Sequence, residues 1–163
     1  MEVEPIRVLF VCLGNICRSP LAEAIFRRTV ADAGLTDRFE IDSAGTSGYH
    51  DGEPPDGRAA ETAARRGVTL SGASRRITAE DVAHHDYLIV MDRENLAEVE
   101  ELVADADADP DIHLLREFDE LAAGDLEVPD PYFGGPQGFE LVHDLVERSC
   151  VGLLAHIREE HGL

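Results

Sequence analysis

The eight residues CLGNICRS at positions 12–19 decide the fold and point to a chemistry. They follow an apolar run rich in β-formers, IRVLFV at positions 6–11, and they precede a proline that is typical of the first turn of a helix. The pattern therefore predicts a buried strand, a glycine-bearing loop and a helix, in that order. We expect Ser19 and Glu23 to form a capping box at the start of this helix, and Gly34 to end it.

The rest of the chain alternates between short apolar runs and helical patterns. Further strands are predicted at 39–44, 87–91 and 112–115, and helices at 58–66, 79–84, 93–103 and 136–160. This alternation predicts an α/β fold, with a parallel sheet covered on both faces, in a single domain over residues 1–163. Ligands of such sheets bind beyond the carboxyl ends of the strands, which is where the loop at 12–18 lies.

The charge balance restricts the partners. The 163 residues include 34 acidic and 14 basic ones, every basic residue is an arginine, and the formal net charge is -20. Such a surface repels nucleic acid and anionic membranes, so we expect neither as a partner. A phosphate site in this chain must be local, built from backbone N–H groups and one or two arginines. The acidity is explained by solubility or, as a hypothesis, by a high-salt cytoplasm that screens self-repulsion.

Cysteine usage and hydropathy predict a cytoplasmic location. Three cysteines without a regular framework do not suit a secreted disulfide scaffold. No apolar run approaches the ~20 residues that span a bilayer. No exposed apolar patch can be read from the sequence, so a monomer is the default expectation.

The residue types of the loop suit phosphoryl transfer. Gly14 lets the backbone curl so that N–H groups converge into an anion nest, and the following helix adds the positive end of its dipole. Both effects lower the pKa of a thiol, so we expect Cys12 to be a thiolate nucleophile. Arg18 can clamp two phosphate oxygens, and Ser19 can hydrogen-bond the sulfur. The remaining residues of the predicted phosphate-binding loop are Leu13, Asn15, Ile16 and Cys17.

Two alternatives account for the loop less well. A cysteine at a strand end is often a core residue, but this leaves the arginine, the glycine and the helix start unexplained. A nucleotide-binding P-loop ends in Gly-Lys-Ser/Thr, which this loop lacks.

The stretch VCLGNICRSPLAEAIF at 11–26 resembles the active-site signature of the low-molecular-weight protein tyrosine phosphatases. Further matches follow in the family's order at 42–46 (DSAGT), Pro54, Asp56, Arg58-Ala59, 90–92 (VMD) and 130–133 (DPYF). The resemblance covers nearly the whole chain. It implies a four-stranded parallel sheet flanked by helices, hydrolysis of phosphotyrosine proteins through a cysteinyl-phosphate, and neither metal nor cofactor. The seven histidines likewise show no metal-ligand spacing.

A general acid must come from elsewhere in the chain. Asp130 stands between two prolines and beside apolar residues, which should favour its protonated form. An aspartate that starts a turn explains the local pattern equally well, and the resemblance selects Asp130 as general acid and base. We expect Tyr132, Leu13 and Tyr49 to form a slot for a flat substrate ring. Phe133 belongs either to this slot or to ordinary packing.

The resemblance also assigns supporting roles. It implies that Asn15 and Ser43 hold the loop, and that Cys17 is a resolving thiol for a reversible disulfide with Cys12; a buried loop residue is the alternative for Cys17. Relatives often have a histidine after a Ser-Gly pair, where this chain has Ala73, so we expect one support of Asn15 to be missing or replaced by water, and the loop to be looser.

Three other functions remain open from the sequence. Arsenate reductases share the Cys-x5-Arg loop but use further cysteines, and outside this loop the chain has only Cys150, which we expect in the core. Protein arginine phosphatases typically have threonine at the position of Ile16. A non-catalytic phosphate-binding module would not need Asp130.

Overall fold

The four apolar runs form a parallel sheet in the computed structural model, which describes residues 3–132 and 136–163. Its strands are β1 (Ile6–Cys12), β2 (Phe39–Gly45), β3 (Tyr87–Val90) and β4 (Asp111–Leu114), in the order β2-β1-β3-β4. The α-helices of the described part are α1 (Arg18–Asp32), α2 (Gly57–Arg65), α3 (Ala79–His84), α4 (Arg93–Ala106) and α5 (Pro136–His161). Short 3-10 turns lie at Thr36–Arg38 and Leu115–Phe118. The predicted α/β fold with a four-stranded parallel sheet is confirmed.

Both faces of the sheet are covered, as the continuous apolar runs predict. Val8 and Phe10 of β1 belong to a buried cluster with residues of α1 and α5. Leu9 and Val11 belong to a second buried cluster, with residues of α3 and α4. The central strand therefore has no solvent-facing side, and its carboxyl end is fixed by packing from two directions.

The topology places the end of β1 at a crevice. The chain runs from β1 through α1 to β2 on one side, and β3 then pairs with β1 on the other side. At such a reversal of direction the loops on the two sides separate and leave room for a ligand. Cys12 is the last residue of β1 and pairs with Gly45 at the end of β2.

Some element ends differ from the sequence predictions. The predicted capping box is wrong: α1 begins at Arg18, its N-cap is Cys17, and no side chain caps it. Ser19 and Glu23 are four residues apart, one more than a capping box needs, and both make hydrogen bonds elsewhere. Gly34 does end α1, with a positive φ of 73°.

Two other element ends, those of α4 and β4, also differ from the prediction. α4 continues to Ala106, into the acidic segment, and ends where Asp107 adopts a left-handed conformation. β4 begins one residue earlier than predicted, at Asp111. None of the helices within residues 3–132 and 136–163 has the length and apolarity needed to cross a bilayer.

Candidate active site

The loop between β1 and α1 folds around the sulfur of Cys12. This side chain is 2% exposed, at the bottom of the crevice. Its Sγ lies 3.0 Å from the hydroxyl oxygen of Ser19, and it accepts the backbone N–H of Asn15 at 3.3 Å. Two donors are therefore within reach of a negatively charged sulfur.

Asn15 holds the loop in its curled form. Its φ of 55° lies in the left-handed region, which asparagine tolerates better than most residues. Its side-chain amide donates to Ser19 Oγ at 2.8 Å and to Ser43 Oγ at 3.1 Å. Its Oδ1 accepts the backbone N–H of Arg75 at 3.1 Å. The structure thus brings Asn15 and Ser43 together.

The segment around Ala73 supports the loop without a side chain from position 73. The Ser74 hydroxyl donates to the carbonyl of Gly14 at 2.8 Å, next to the Arg75 N–H that reaches Asn15. A cavity of about 120 Å³ lies behind the loop, and Ala73 and Asn15 are among the residues that line it. The residues of this segment that contact the loop are therefore Ser74, through its side chain, and Arg75, through its backbone.

Arg18 is a buried cation that three acceptors orient. Its guanidinium, 2% exposed, donates to Asp92 at 2.7 Å and to the carbonyl of Val128 at 3.0 Å, and lies 3.5 Å from Asp130. Burial on its own lowers the pKa of Arg18, but Cys12, Asp92 and Asp130 act in the opposite direction and the pKa is raised. Arg18 therefore carries its charge at any working pH.

Asp92 is a residue of the site that the sequence patterns did not predict. Besides Arg18, its carboxylate accepts the N–H of Asn95 at 2.9 Å, and Asn95 accepts the N–H of Asp92 in return. The Asp-x-x-Asn pattern after β3 signals this cap of α4. Nothing in the local sequence signals the contact with Arg18, which joins residues 74 positions apart.

Asp130 faces the same cavity as Cys12 and Arg18. Its side chain is 31% exposed, and its Oδ1 accepts the N–H of Tyr132 at 3.0 Å. Its surroundings differ from the apolar ones expected, because the Arg18 guanidinium is a neighbour. The cavity measures about 490 Å³ and is lined by Cys12, Leu13, Gly14, Ile16, Cys17, Arg18, Ser47, Tyr49, His50, Asp130 and Tyr132.

Aromatic rings form part of the cavity wall. The Arg58 guanidinium lies over the ring of Tyr132, with its Cζ 5.4 Å from the centre of that ring. Arg58 also donates a hydrogen bond to the Tyr132 carbonyl. Tyr49 borders the cavity but is 87% exposed, and Leu13 is 45% exposed, so both belong to the rim. Phe133 lies outside the described residues.

Two wall residues, Ser47 and His50, were missed. The His50 ring lies 5.8 Å from the Tyr132 ring and 4.9 Å from the Tyr49 ring, and its Nδ1 contacts Glu53. The loop after β2 carries both residues to the cavity, a placement that follows from strand pairing and has no local sequence signal.

The other cysteines are buried. Cys17 is 5% exposed. Its burial raises the pKa of the thiol, and the negative charge of the nearby Asp56 raises this pKa further. It packs with Ile16 and Phe139 in a small apolar cluster. Cys150 is fully buried in the main core, as expected, and burial raises its pKa also. A disulfide between Cys12 and Cys17 stays a prediction, since all three thiols are free.

Comparison with known proteins shows which family the chain belongs to. Residues 7–162 match the family model described as low molecular weight phosphotyrosine protein phosphatase. A low molecular weight protein-tyrosine-phosphatase of Streptomyces coelicolor is 44% identical over 155 residues, which cover 94% of each chain.

Solved structures give the same result. YfkJ from Bacillus subtilis superimposes with a TM-score of 0.89 at 39% identity, over 98% of this chain and 99% of that one. An arginine phosphatase of Drosophila superimposes with a TM-score of 0.88 at 35% identity, over 94% and 98% of the two chains. With its family model, its curated relatives and its fold in agreement, the chain belongs to the low molecular weight phosphotyrosine protein phosphatase family.

Proposed function

We propose that this phosphatase hydrolyses phosphotyrosine monoesters through a cysteinyl-phosphate on Cys12. The Cys12 thiolate attacks the phosphorus while the tyrosine oxygen leaves from the opposite side. The N–H groups of Arg18 that do not donate to Asp92 or to the Val128 carbonyl hold phosphate oxygens and offset the charge that develops on them. Asp130 gives a proton to the leaving phenolate.

A second step regenerates the enzyme. Water attacks the phosphorus of the cysteinyl-phosphate, and Asp130 accepts the proton that the water loses. The sulfur of Cys12 leaves as a thiolate, stabilised by the hydroxyl of Ser19 and the backbone N–H of Asn15. Inorganic phosphate then departs. Each step uses side chains of the protein, and the proposal includes neither metal nor cofactor.

One observation carries the assignment: a sulfur with two donors at 3.0 and 3.3 Å shares a cavity with a buried cation and a carboxylate that is 31% exposed. A cysteine that served packing alone would need no such donors. The 3.5 Å contact between Arg18 and Asp130 marks the place where a phosphate oxygen would compete for the guanidinium.

Phosphate release from a phosphotyrosine peptide, measured in EDTA, tests the proposal. We expect turnover by the wild type, none by Cys12→Ser, and a drop of roughly 10²–10⁴-fold for Asp130→Asn, the usual effect of losing a general acid. Asp125→Asn is the matched control, because Asp125 is 73% exposed and does not line the cavity. Turnover that survives Cys12→Ser, or that EDTA abolishes, would contradict the mechanism.

A second candidate substrate is phosphoarginine, favoured by the likeness to the Drosophila arginine phosphatase. Ile16 argues against it, because this side chain lines the cavity and arginine phosphatases typically have threonine at its position. We expect kcat/KM to be higher for a phosphotyrosine peptide than for a phosphoarginine peptide of the same sequence. The reverse order would withdraw phosphotyrosine as the substrate and leave the roles of Cys12 and Arg18 intact.

We further propose a cytoplasmic monomer that is one phosphatase domain over residues 1–163 and acts on phosphotyrosine proteins, not on nucleic acids or membranes. The net charge of -20 supports the exclusion of anionic partners. Light scattering on the purified chain tests the monomer.

A further inference from the structure

Behind the phosphate-binding loop, a carboxylate begins a chain of hydrogen bonds that ends on the Cys12 sulfur. Glu23 of α1, whose side chain is 19% exposed, has Oε1 2.7 Å from Ser43 Oγ. Ser43 Oγ lies 3.1 Å from Nδ2 of Asn15, which lies 2.8 Å from Ser19 Oγ. Ser19 Oγ is 3.0 Å from the sulfur. Glu23 thus connects to the sulfur through three side chains.

Groups with a single role fix the direction of donation along this chain. An ionised carboxylate only accepts, so Ser43 donates its hydroxyl hydrogen to Glu23 and accepts a hydrogen from Asn15. The backbone N–H of Arg75 only donates, so the oxygen of the Asn15 amide faces it at 3.1 Å. Both amide hydrogens of Asn15 are therefore directed at the two serines.

The orientation of Asn15 determines which hydrogens point at the Cys12 sulfur. Because the Ser19 hydroxyl accepts a hydrogen from Asn15, its own hydrogen is available for the sulfur at 3.0 Å or for the carbonyl of Ala44 at 3.4 Å. The shorter contact, to a thiolate, is the stronger one. The same fixation of Asn15 keeps its backbone at φ 55°, the conformation in which its N–H points at the sulfur.

The side chain at position 73 offers this network no hydrogen-bonding group. Ala73 lines the small cavity behind the loop together with Glu23 and Ser43. The other oxygen of Glu23 accepts from Arg27, at 3.0 Å, and Arg27 is 54% exposed. The acceptor that holds Ser43 therefore comes from α1, on the far side of the loop from the cavity that would hold substrate.

We propose that Glu23 is a positioning residue for the nucleophile, acting through Ser43, Asn15 and Ser19 to direct two hydrogen-bond donors at Cys12. The inference rests on the proposed role of Cys12. Glu23 touches neither substrate nor sulfur, so its removal acts on the reactivity of Cys12 and on kcat, while KM stays the same.

The rate of Cys12 alkylation by iodoacetamide, with and without protecting inorganic phosphate, reports on the sulfur independently of turnover. Mass spectrometry separates Cys12 from the buried Cys17 and Cys150. We expect Glu23→Ala to lower this rate and kcat about tenfold, the effect of losing a hydrogen bond to a charged group. Glu23→Gln should recover most of the loss, because its amide oxygen also accepts from Ser43.

Two further variants separate the relay from other effects. Arg27→Gln removes the ion pair of Glu23 and should keep both rates near those of the wild type. Ser43→Ala should match Glu23→Ala, and the double variant should be no slower than either, because both act through one chain. Thermal unfolding establishes that each variant folds. If Glu23→Ala does not fold, the similarly sized Glu23→Leu, which cannot accept from Ser43, takes its place in the test.

Wild-type rates in folded Glu23→Ala, an equal loss in Arg27→Gln, or multiplied losses in the double variant would each overturn the inference. Turnover that survives Cys12→Ser would instead overturn the proposed function, so the two failures differ.

Discussion

At the scale of single residues, the site depends on how Arg18 is held. A guanidinium that is 2% exposed must have partners, because burying an unpaired charge costs several kcal/mol. Asp92 supplies the shortest of its contacts and also caps α4, so one carboxylate connects Arg18 to the start of that helix. This double use explains why a strand-end aspartate belongs to the site although it does not line the cavity.

Replacing Asp92 by asparagine separates its two uses. Asparagine caps a helix as well as aspartate does, so α4 should stay formed. The charge-assisted bond to Arg18 is lost, and we expect kcat/KM on a phosphotyrosine peptide to fall more than about tenfold. Glu94→Gln removes an equal charge from the exposed first turn of α4 and should leave kcat/KM unchanged. Equal kcat/KM for Asp92→Asn and the wild type would show that Arg18 is positioned without Asp92.

The sequence could predict those site residues whose neighbours along the chain explain them. Cys12, Gly14 and Arg18 stand in one loop between a strand and a helix, so their convergence follows from local backbone geometry. Asp92 and His50 reach the site only through strand pairing and loop packing, and no short pattern marks them. Ser19 was predicted as a cap as well as a partner of the sulfur, and its hydroxyl makes only the second kind of contact.

At the scale of elements, α5 is fixed to the sheet edge by a buried carboxylate. Asp119 follows the 3-10 turn Leu115–Phe118, its side chain is 0% exposed, and it accepts from Arg148 of α5 and from Arg116. Burial on its own raises the pKa of Asp119, but hydrogen bonds from Arg148, from the backbone of Leu121 and from Arg116 outweigh it and hold the pKa below its usual range. The carboxylate therefore stabilises the fold in its ionised form.

The lowered pKa of Asp119 determines the pH range in which this side chain stabilises the fold. A carboxylate with a lowered folded-state pKa contributes stability that is present above its unfolded pKa, about 3.9, and is lost as the pH falls through the folded value. Asp119→Asn should therefore lower the free energy of unfolding by about 2 kcal/mol at pH 7 and by less at pH 3. Urea unfolding at both pH values measures the difference.

The control for this prediction uses the same arginine. Asp125 also pairs with Arg116, at 3.4 Å, but is 73% exposed, so Asp125→Asn should change the stability little at either pH. A difference between the wild type and Asp119→Asn that is the same at pH 7 and pH 3 would mean that the ionised form contributes nothing.

At the scale of the whole molecule, the sequence predicted the architecture better than the element ends. The apolar pattern of a strand or helix extends over many residues, so a single exception does not hide it. For this reason β1, α3 and the alternation of strands and helices were predicted correctly. Ends depend on single side chains that have competing partners. Two examples are the end of α4, where Asp107 adopts a left-handed conformation, and the 3-10 turn Thr36–Arg38.

Whole-molecule charge acts against this fold at low salt. A net charge of -20 on 163 residues makes the compact state repel itself, and salt shortens the reach of that repulsion from about 10 Å at 0.1 M to about 3 Å at 1 M. Ion pairs on the surface are screened also, but each contributes little. Repulsion among the acidic side chains should therefore outweigh the attraction within surface ion pairs, because acidic residues outnumber basic ones by 34 to 14.

We therefore expect the Tm at pH 7 to rise steadily as KCl is raised from about 0.05 to about 1 M, the range over which screening changes most. The same series near the sequence pI of about 4.5 is an internal control, because the net charge vanishes there and the rise should shrink with it. A rise that is equal at both pH values would come from salt effects on apolar burial and not from charge. Equal stability at low and high KCl at pH 7 would contradict the high-salt hypothesis and leave solubility as the reason for the acidity.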